Sequence, residues 1–382
     1  MARIGFFLLL IGLASGCDLF MNSDDDEGRT IERWVAAPDM AEARHSFTAT
    51  VVRDGNVLVA GGMGTTGPLA TAELFDVLTN AWKPAPAMQV ARHHATATDL
   101  GDGLVLIVGG IGAEGVLVLE AELYDSFNNT WTAVGALQQG RVGHSATLMN
   151  DGTVMIAGGE DADGEALASV ERFFPETTTW ETAEAMAIAR AYHGAILLDD
   201  GELFVVGGRG PDYLRSGERF DPETGSWRAT RPIPTGRMGL TLHRIAGGTV
   251  LAMAGFYEFA GSNIVSGLVD RYDIESDGWN SLADLPSPHF GHATVRFGNG
   301  QFFLISGFGA NEFVAGTVVK FVPNPSAPFW RPAVPMINAR IGHAAAVLPG
   351  QRILVAGGQF DQGGAPVRSV EIFESNPSAN EQ

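Results

Sequence analysis

Between residues 144 and 182 short apolar runs alternate with turn signals. His144 to Met149 is mostly apolar, and Asn150-Asp151-Gly152 follows. A glycine there supplies the positive φ of a tight hairpin. Val154 to Ala157 is apolar at every position and ends at the Gly158-Gly159 doublet. Ser169 to Phe173 alternates with period two, and Thr178 to Thr182 surrounds Trp180. This is the pattern of four short strands joined by turns, with no helical period.

The pattern recurs through the chain. Tryptophans stand at 34, 82, 131, 180, 227, 279 and 330. Ten residues after each comes Arg44, Arg92, Arg141, Arg190, Arg237, His289 or Arg340. Eighteen residues later comes Gly62, Gly110, Gly159, Gly208, Gly255, Gly307 or Gly358. Neither spacing varies, while the tryptophan period runs from 47 to 52. Four strands per repeat and seven repeats predict an all-β, seven-bladed β-propeller. The last repeat lacks a tryptophan strand and the first tryptophan lacks preceding strands. Ile31 to Trp34 should therefore supply the outermost strand of the last blade, removing the open edge.

The glycine doublet, the spaced tryptophan and an aromatic two residues after an acid resemble kelch repeats. The aromatics are Phe75, Tyr124, Phe173, Phe220, Tyr272, Phe321 and Phe373, and the likeness covers roughly residues 30 to 375. The Gly-His and Trp-Asp signatures of WD40 repeats are missing. A kelch-type fold implies a binding surface on one rim of the ring, and it also allows catalysis. Copper oxidases with kelch-type propellers need a cysteine–tyrosine crosslink. Cys17 is the only cysteine, so that chemistry is not expected.

Seven copies separate what every blade needs from what some blades carry. The arginines face an acidic column, Glu73, Glu122, Glu171, Glu218, Asp270, Lys320 and Glu371. The blade with His289 in place of arginine has Lys320 in place of the acid. Arginine and acid vanish together, which predicts structural ion pairs. His144, His193, His292 and His343 also share a column, where the other blades hold Phe47, Ala95 and Leu240. One histidine per blade cannot converge on a metal, so they are read as structural and no metal is expected. Glu160, Asp161, Asp163 and Glu165 in blade three are read as solvated charge.

The loop after each doublet varies, and loops on a rigid scaffold carry function. Candidate rim residues are Arg209, Asp212, Tyr213 and Arg215, then Tyr257 and Glu258, then Phe308, Asn311 and Glu312, then Phe360 and Asp361. Phe256, Phe259, Phe313 and Gln359 lie in the same loops. Aromatics mixed with charges suit a protein or glycan partner. No nucleophile elbow, Walker loop, dinucleotide fingerprint or zinc-protease motif occurs. No catalytic residue and no cofactor is assigned. The rival reading is a carbohydrate-active isomerase or mutarotase resembling sialic-acid epimerase, with Glu258, Glu312 and Arg209 as its candidate groups. A third is a structural lipoprotein of envelope assembly.

Charge and the N-terminus complete the picture. The net charge is −20, with only Lys83 and Lys320 as lysines. Such a chain should repel nucleic acid. Arg3, the apolar run Ile4 to Leu13 and the small residues before Cys17 read as a secretory signal. They resemble a bacterial lipobox. That resemblance implies a signal peptide over 1–16, lipidation of Cys17 and a membrane attachment without a spanning helix. Residues 17–29 would form an acidic tether, 30–375 the propeller and 376–382 a disordered tail. The expected place is the bacterial cell envelope, on its periplasmic or extracellular side, and the closed ring is expected to be monomeric.

Overall fold

A computed structural model describes residues 31–245, 247–310, 313–323 and 329–376. The signal, lipidation and tether expectations lie outside these residues. The described residues form seven four-stranded antiparallel sheets and one two-stranded ribbon. Blade three is typical, with strands Ser145–Leu148, Val154–Ala157, Val170–Phe174 and Thr179–Ala183 in that order from the ring's inside outward. The ribbon, Phe256–Phe259 with Ser262–Val265, lies between the second and third strands of blade five.

The second strand of each blade shows why its sequence is apolar at every position. Each blade has two neighbours, so both faces of its central strand need cover. Val154 and Ile156 pack with blade two, while Met155 and Ala157 pack with blade four, and all four are sealed from solvent. Seven apolar clusters fill the seven seams between consecutive blades. Each seam also takes a residue four before the arginine column, such as Met88, Leu137 or Met186, all buried. At the outer edge six tryptophans donate Nε1 bonds of 2.7–2.9 Å to carbonyls of the preceding blade or its connection, as Trp180 does to Val134.

Ring closure follows the sequence expectation, with the closing strand extending further than Trp34. Ile31–Ala37 forms the outer strand beside Val370–Asn376 in the last blade. Trp34 packs on Phe373, with ring centroids 5.5 Å apart, and Arg33 pairs with Glu374 at 3.0 Å. The register corrects one sequence expectation: Val319, opposite Leu304, stands at the acid position of blade six, and Lys320 is one residue beyond it, matching Arg172 and Arg219. Lys320 is buried and pairs with Glu32 of this same strand.

The arginine column is the polar framework. Six guanidinium groups are sealed from solvent and meet the acid of their own blade at 2.6–3.1 Å. Arg141 also donates to the carbonyls of Gly158 and Ser169. Glu171 uses its other oxygen to accept the Gln138 backbone N–H at 2.8 Å. In blade five the shorter Asp270 pulls the guanidinium round, so that Arg237 reaches the first-doublet carbonyl, of Ala254, through Nε and takes the Ala252 carbonyl as its second. In blade six His289 Nδ1 lies 3.0 Å from the Ser306 carbonyl and so covers the corresponding site.

The column binds neighbouring blades through its backbone. The N–H of each second doublet glycine donates to the carbonyl of the next blade's arginine or histidine at 2.8–3.0 Å, and Gly358 to Arg44 completes the circle. All seven of these glycines have φ between 89° and 104°, outside ordinary left-handed helix space. A Cβ there would lie 2.5–2.9 Å from the carbonyl oxygen one residue after the arginine. The first doublet position has milder angles, and Ala254 and Ser306 occupy it in blades five and six.

The shared histidines join blades. His144 Nε2 lies 2.9 Å from Thr96 Oγ1, and His193 Nε2 lies 2.9 Å from Ser145 Oγ, each hydroxyl being on the preceding blade's innermost strand. His292 meets Thr241 in the same way at 3.3 Å, and His343 donates to the Ile305 carbonyl at 3.1 Å. Burial disfavours their cationic form and pushes His144, His193 and His343 down to about 3.

This gives a signed pH dependence. Below pH 6.5 the unfolded chain binds protons that the folded chain refuses, so stability is complete above 6.5 and falls as pH drops toward 3. At pH 5 each of His144 and His193 removes about 2 kcal/mol relative to neutral pH. Urea unfolding at pH 7.5 and 5.0 should show this loss, and His144→Asn should reduce it; a stability independent of pH across this window contradicts the assignment. A chain starting at residue 40 should lose its cooperative calorimetric transition, because the last blade then keeps an unpaired strand. Melting like that of the full ring would disprove the closure.

Candidate functional site

The two rims differ. The lower rim carries the tight hairpins, and its aspartates are occupied by them. Asp76 accepts the Leu78 and Thr79 N–H groups, and Asp125 those of Phe127 and Asn128. A hollow of about 420 Å³ there, lined by Asp151, Asp200, Glu202, Asp221 and Glu223, has Arg172 and Arg219 tied to its acids. The upper rim carries the doublets, the loops after them and the connections between blades.

The upper rim tightens to an inner ring two residues after the arginine column. Backbone bonds run round it from blade to blade: Ser46 to Gly342, His94 to Ser46, Tyr192 to Gly143 and Gly239 to Tyr192, at 2.7–2.9 Å. These positions take positive φ. Glycine does so without strain, but Ser46, His94 and Tyr192 hold φ near 52–54° at a cost that other contacts must offset. Blades five to seven have Gly239, Gly291 and Gly342, so that part of the ring is bare of side chains.

Three chemically distinct sectors surround this mouth. Over blades one and two stand His45, His93 and His94. His93 Nδ1 lies 2.6 Å from His94 Nδ1, and His45 Nδ1 lies 3.0 Å from Ser46 Oγ. His94 is exposed, yet desolvation and then the charge on His45 lower its pKa. This combination fits a side chain lining a narrow solvent-filled mouth. His93 is pushed down to about 4 by burial and by its two neighbours.

Over blades three and four Glu160 is shared. Its carboxylate accepts from the Tyr192 hydroxyl at 3.3 Å and from Arg209 Nη1 at 3.3 Å. Burial, then the charge of Glu160, pushes the Tyr192 phenol up to about 12. Over blades four to six lies an arc of half-buried rings. Tyr213 is 6.1 Å from Phe256, Phe256 is 5.2 Å from Phe290, and Phe290 is 6.2 Å from Phe308.

Of the residues expected from sequence, Arg209, Tyr213 and Phe308 are in this mouth. Tyr257 and Glu258 are on the extra ribbon opposite Ile264 and Asn263, and the charge of Glu258 acts on Tyr213. Asp212 and Asp361 are exposed turn residues whose carbonyls accept from Gly210 and Gly364. Arg215 is exposed and donates to the Ile233 carbonyl, holding the connection that follows the outer strand. Phe360 lies over the buried Arg340 guanidinium, 5.7 Å from ring centroid to Cζ. Asn311 and Glu312 lie outside the described residues.

His45, His93, His94, Tyr192 and Phe290 were not singled out from the sequence. Their signal is the two columns between the constant arginine and the histidine column. There His94 and Tyr192 stand where four blades have glycine.

The comparisons agree with this architecture. The kelch-repeat domain model described by KLHDC2, KLHL20 and DRC7 matches residues 92–309, and the kelch motif matches residues 44–89. Human kelch-like protein 34 is 33% identical over 134 residues, covering 35% of this chain and 20% of that protein, so the match spans one fifth of the relative's length. The structure of YjhT has a TM-score of 0.60 at 16% identity, covering 77% of this chain and 99% of that one. A fungal alcohol oxidase of the AA5 family in complex with copper has a TM-score of 0.70 at 15% identity, covering 92% and 76%. At such identities these two structures show the fold alone. Among the described residues no group of three or more His, Cys, Asp or Glu side chains is arranged to hold a metal ion. With more than half its length matched by the kelch-repeat domain, and with a clasped seven-blade ring, the chain belongs to the kelch-repeat family.

Proposed function

We propose that this protein is a binding module of the bacterial cell envelope. It is anchored by lipid on Cys17 and presents its upper rim to a protein or glycan partner. The observation that carries this reading is the asymmetry of the rims. Of the twelve exposed large apolar side chains among the described residues, eight belong to the upper rim: Val116, Leu119, Ile188, Phe259, Phe313, Val334, Ile337 and Phe360. Exposed apolar residues gathered on one polar-rimmed face mark an interaction surface. Kelch propellers in general mediate protein interactions.

The chemistry of the mouth supports binding over acid–base catalysis. A general acid or base works best with a pKa near the operating pH. His93 is pushed to about 4 and Tyr192 to about 12, both away from neutrality.

Two results are expected. Cys17→Ser should move the protein from the membrane fraction to the soluble fraction; unchanged fractionation would refute the anchor. Phe259→Asp with Phe313→Asp should reduce partner crosslinking in intact cells at least tenfold, since buried aromatic anchors dominate interfaces. Leu78→Asp with Phe127→Asp on the lower rim should leave it intact. The opposite pattern would assign the partner to the wrong rim.

A further inference from the structure

We infer that the channel mouth over blades four to six takes a saccharide ring, stacked on the aromatic arc and held by the Glu160–Arg209 pair. This rests on the reading of the upper rim as the binding face and names the ligand class for its centre. Four rings form a continuous arc, each half-buried so that one portion faces solvent. Beside them the inner ring is glycine in blades five and six, Gly239 and Gly291, with Tyr192 in blade four. The Phe290 ring lies against Gly239, where a Cβ would come within 2.5 Å of it. A flat ligand therefore reaches the rings over blades five and six without meeting an inner-ring side chain, and meets Tyr192 only where it approaches Glu160.

The polar groups select the class. Glu160 and Arg209 neutralise each other, and their contact is long at 3.3 Å, with the Arg209 side chain 55% exposed. Together they present an acceptor and several donors with no net charge. A sugar hydroxyl both donates and accepts, so it can insert between them, while the C–H face of the ring packs on the arc. A peptide adding as a strand fits poorly, because the rim backbone is already paired. Phe308 is bridged by Phe290 and Val314, and Phe256 by Met238 and Val265. Strand addition needs a free edge.

The test is saturation-transfer NMR on the whole chain with the methyl glycosides of glucose, galactose, mannose and N-acetylglucosamine at millimolar concentration. At least one glycoside should receive transfer, strongest on the ring C–H protons of one face. Phe256→Leu and Phe290→Leu should reduce that transfer at least tenfold. Phe290→Tyr, which keeps the ring, and Phe127→Leu on the lower rim should preserve it, and melting curves of all four variants identify any loss due to unfolding. The inference is overturned if no glycoside receives transfer, or if transfer survives loss of both rings. If glycosides fail while crosslinking still depends on Phe259 and Phe313, the ligand class is wrong and the rim stands. If both fail, the rim reading falls too.

Discussion

Each blade of this ring must turn its chain inward, cross a crowded seam and start the next innermost strand, all with backbone polar groups out of reach of water. One buried arginine in each of six blades meets that demand. Its guanidinium bonds the carbonyls of its own blade and the carboxylate of the third strand. That carboxylate holds the N–H groups of the incoming connection. Its backbone carbonyl accepts the doublet glycine of the blade before. Burial lowers each guanidinium pKa from its usual value, and the neighbouring carboxylate opposes the shift. Removing one partner of such a pair leaves a buried charge uncompensated, typically at a cost of about 3–5 kcal/mol. The constancy of the arginine-to-glycine spacing follows, since both ends meet at one node.

The node explains its own exceptions. An aspartate shortens the acid side in blade five, and Arg237 rotates, keeping the Ala254 carbonyl and taking that of Ala252. Blade six abandons the pair altogether. There His289 covers the carbonyl and Val319 stands where the other blades have an acid, while Lys320 beside it pairs with Glu32 on the strand that shuts the ring. The weak point of a closed propeller is the seam between its two ends. The Lys320–Glu32 pair ties the closing strand to blade six.

Much of this was readable from the sequence, because the chain is its own alignment. Constant columns gave the strands, the doublets and the closure, and the joint loss of Arg and acid in blade six gave the pairing. The mouth was harder to read. Its side chains come from columns that vary, and their partners lie in the next blade, as Glu160 and Arg209 do, separated by 49 positions in the chain. A loop residue's direction is equally hidden. Arg215 and Phe360 are binding residues by type, and only the structure shows that one also holds a connection and the other also lies over a buried arginine. The seven-fold scaffold is thus legible as repetition, and the site as the place where repetition breaks: imidazoles in one sector, a carboxylate–phenol–guanidinium group in the next, aromatic rings over bare glycines in the third.

The claim on which the account depends is that the arginine and its carboxylate act as one unit inside the blade. A double-mutant cycle in blade three tests it, with denaturant unfolding of Arg141→Met, Glu171→Gln and the pair together. The account predicts a coupling above about 1 kcal/mol, the double variant being much less destabilised than the two single losses combined. Losses that add to within about 0.5 kcal/mol would show that the two residues stabilise the blade independently, and the node would not be what holds the ring together.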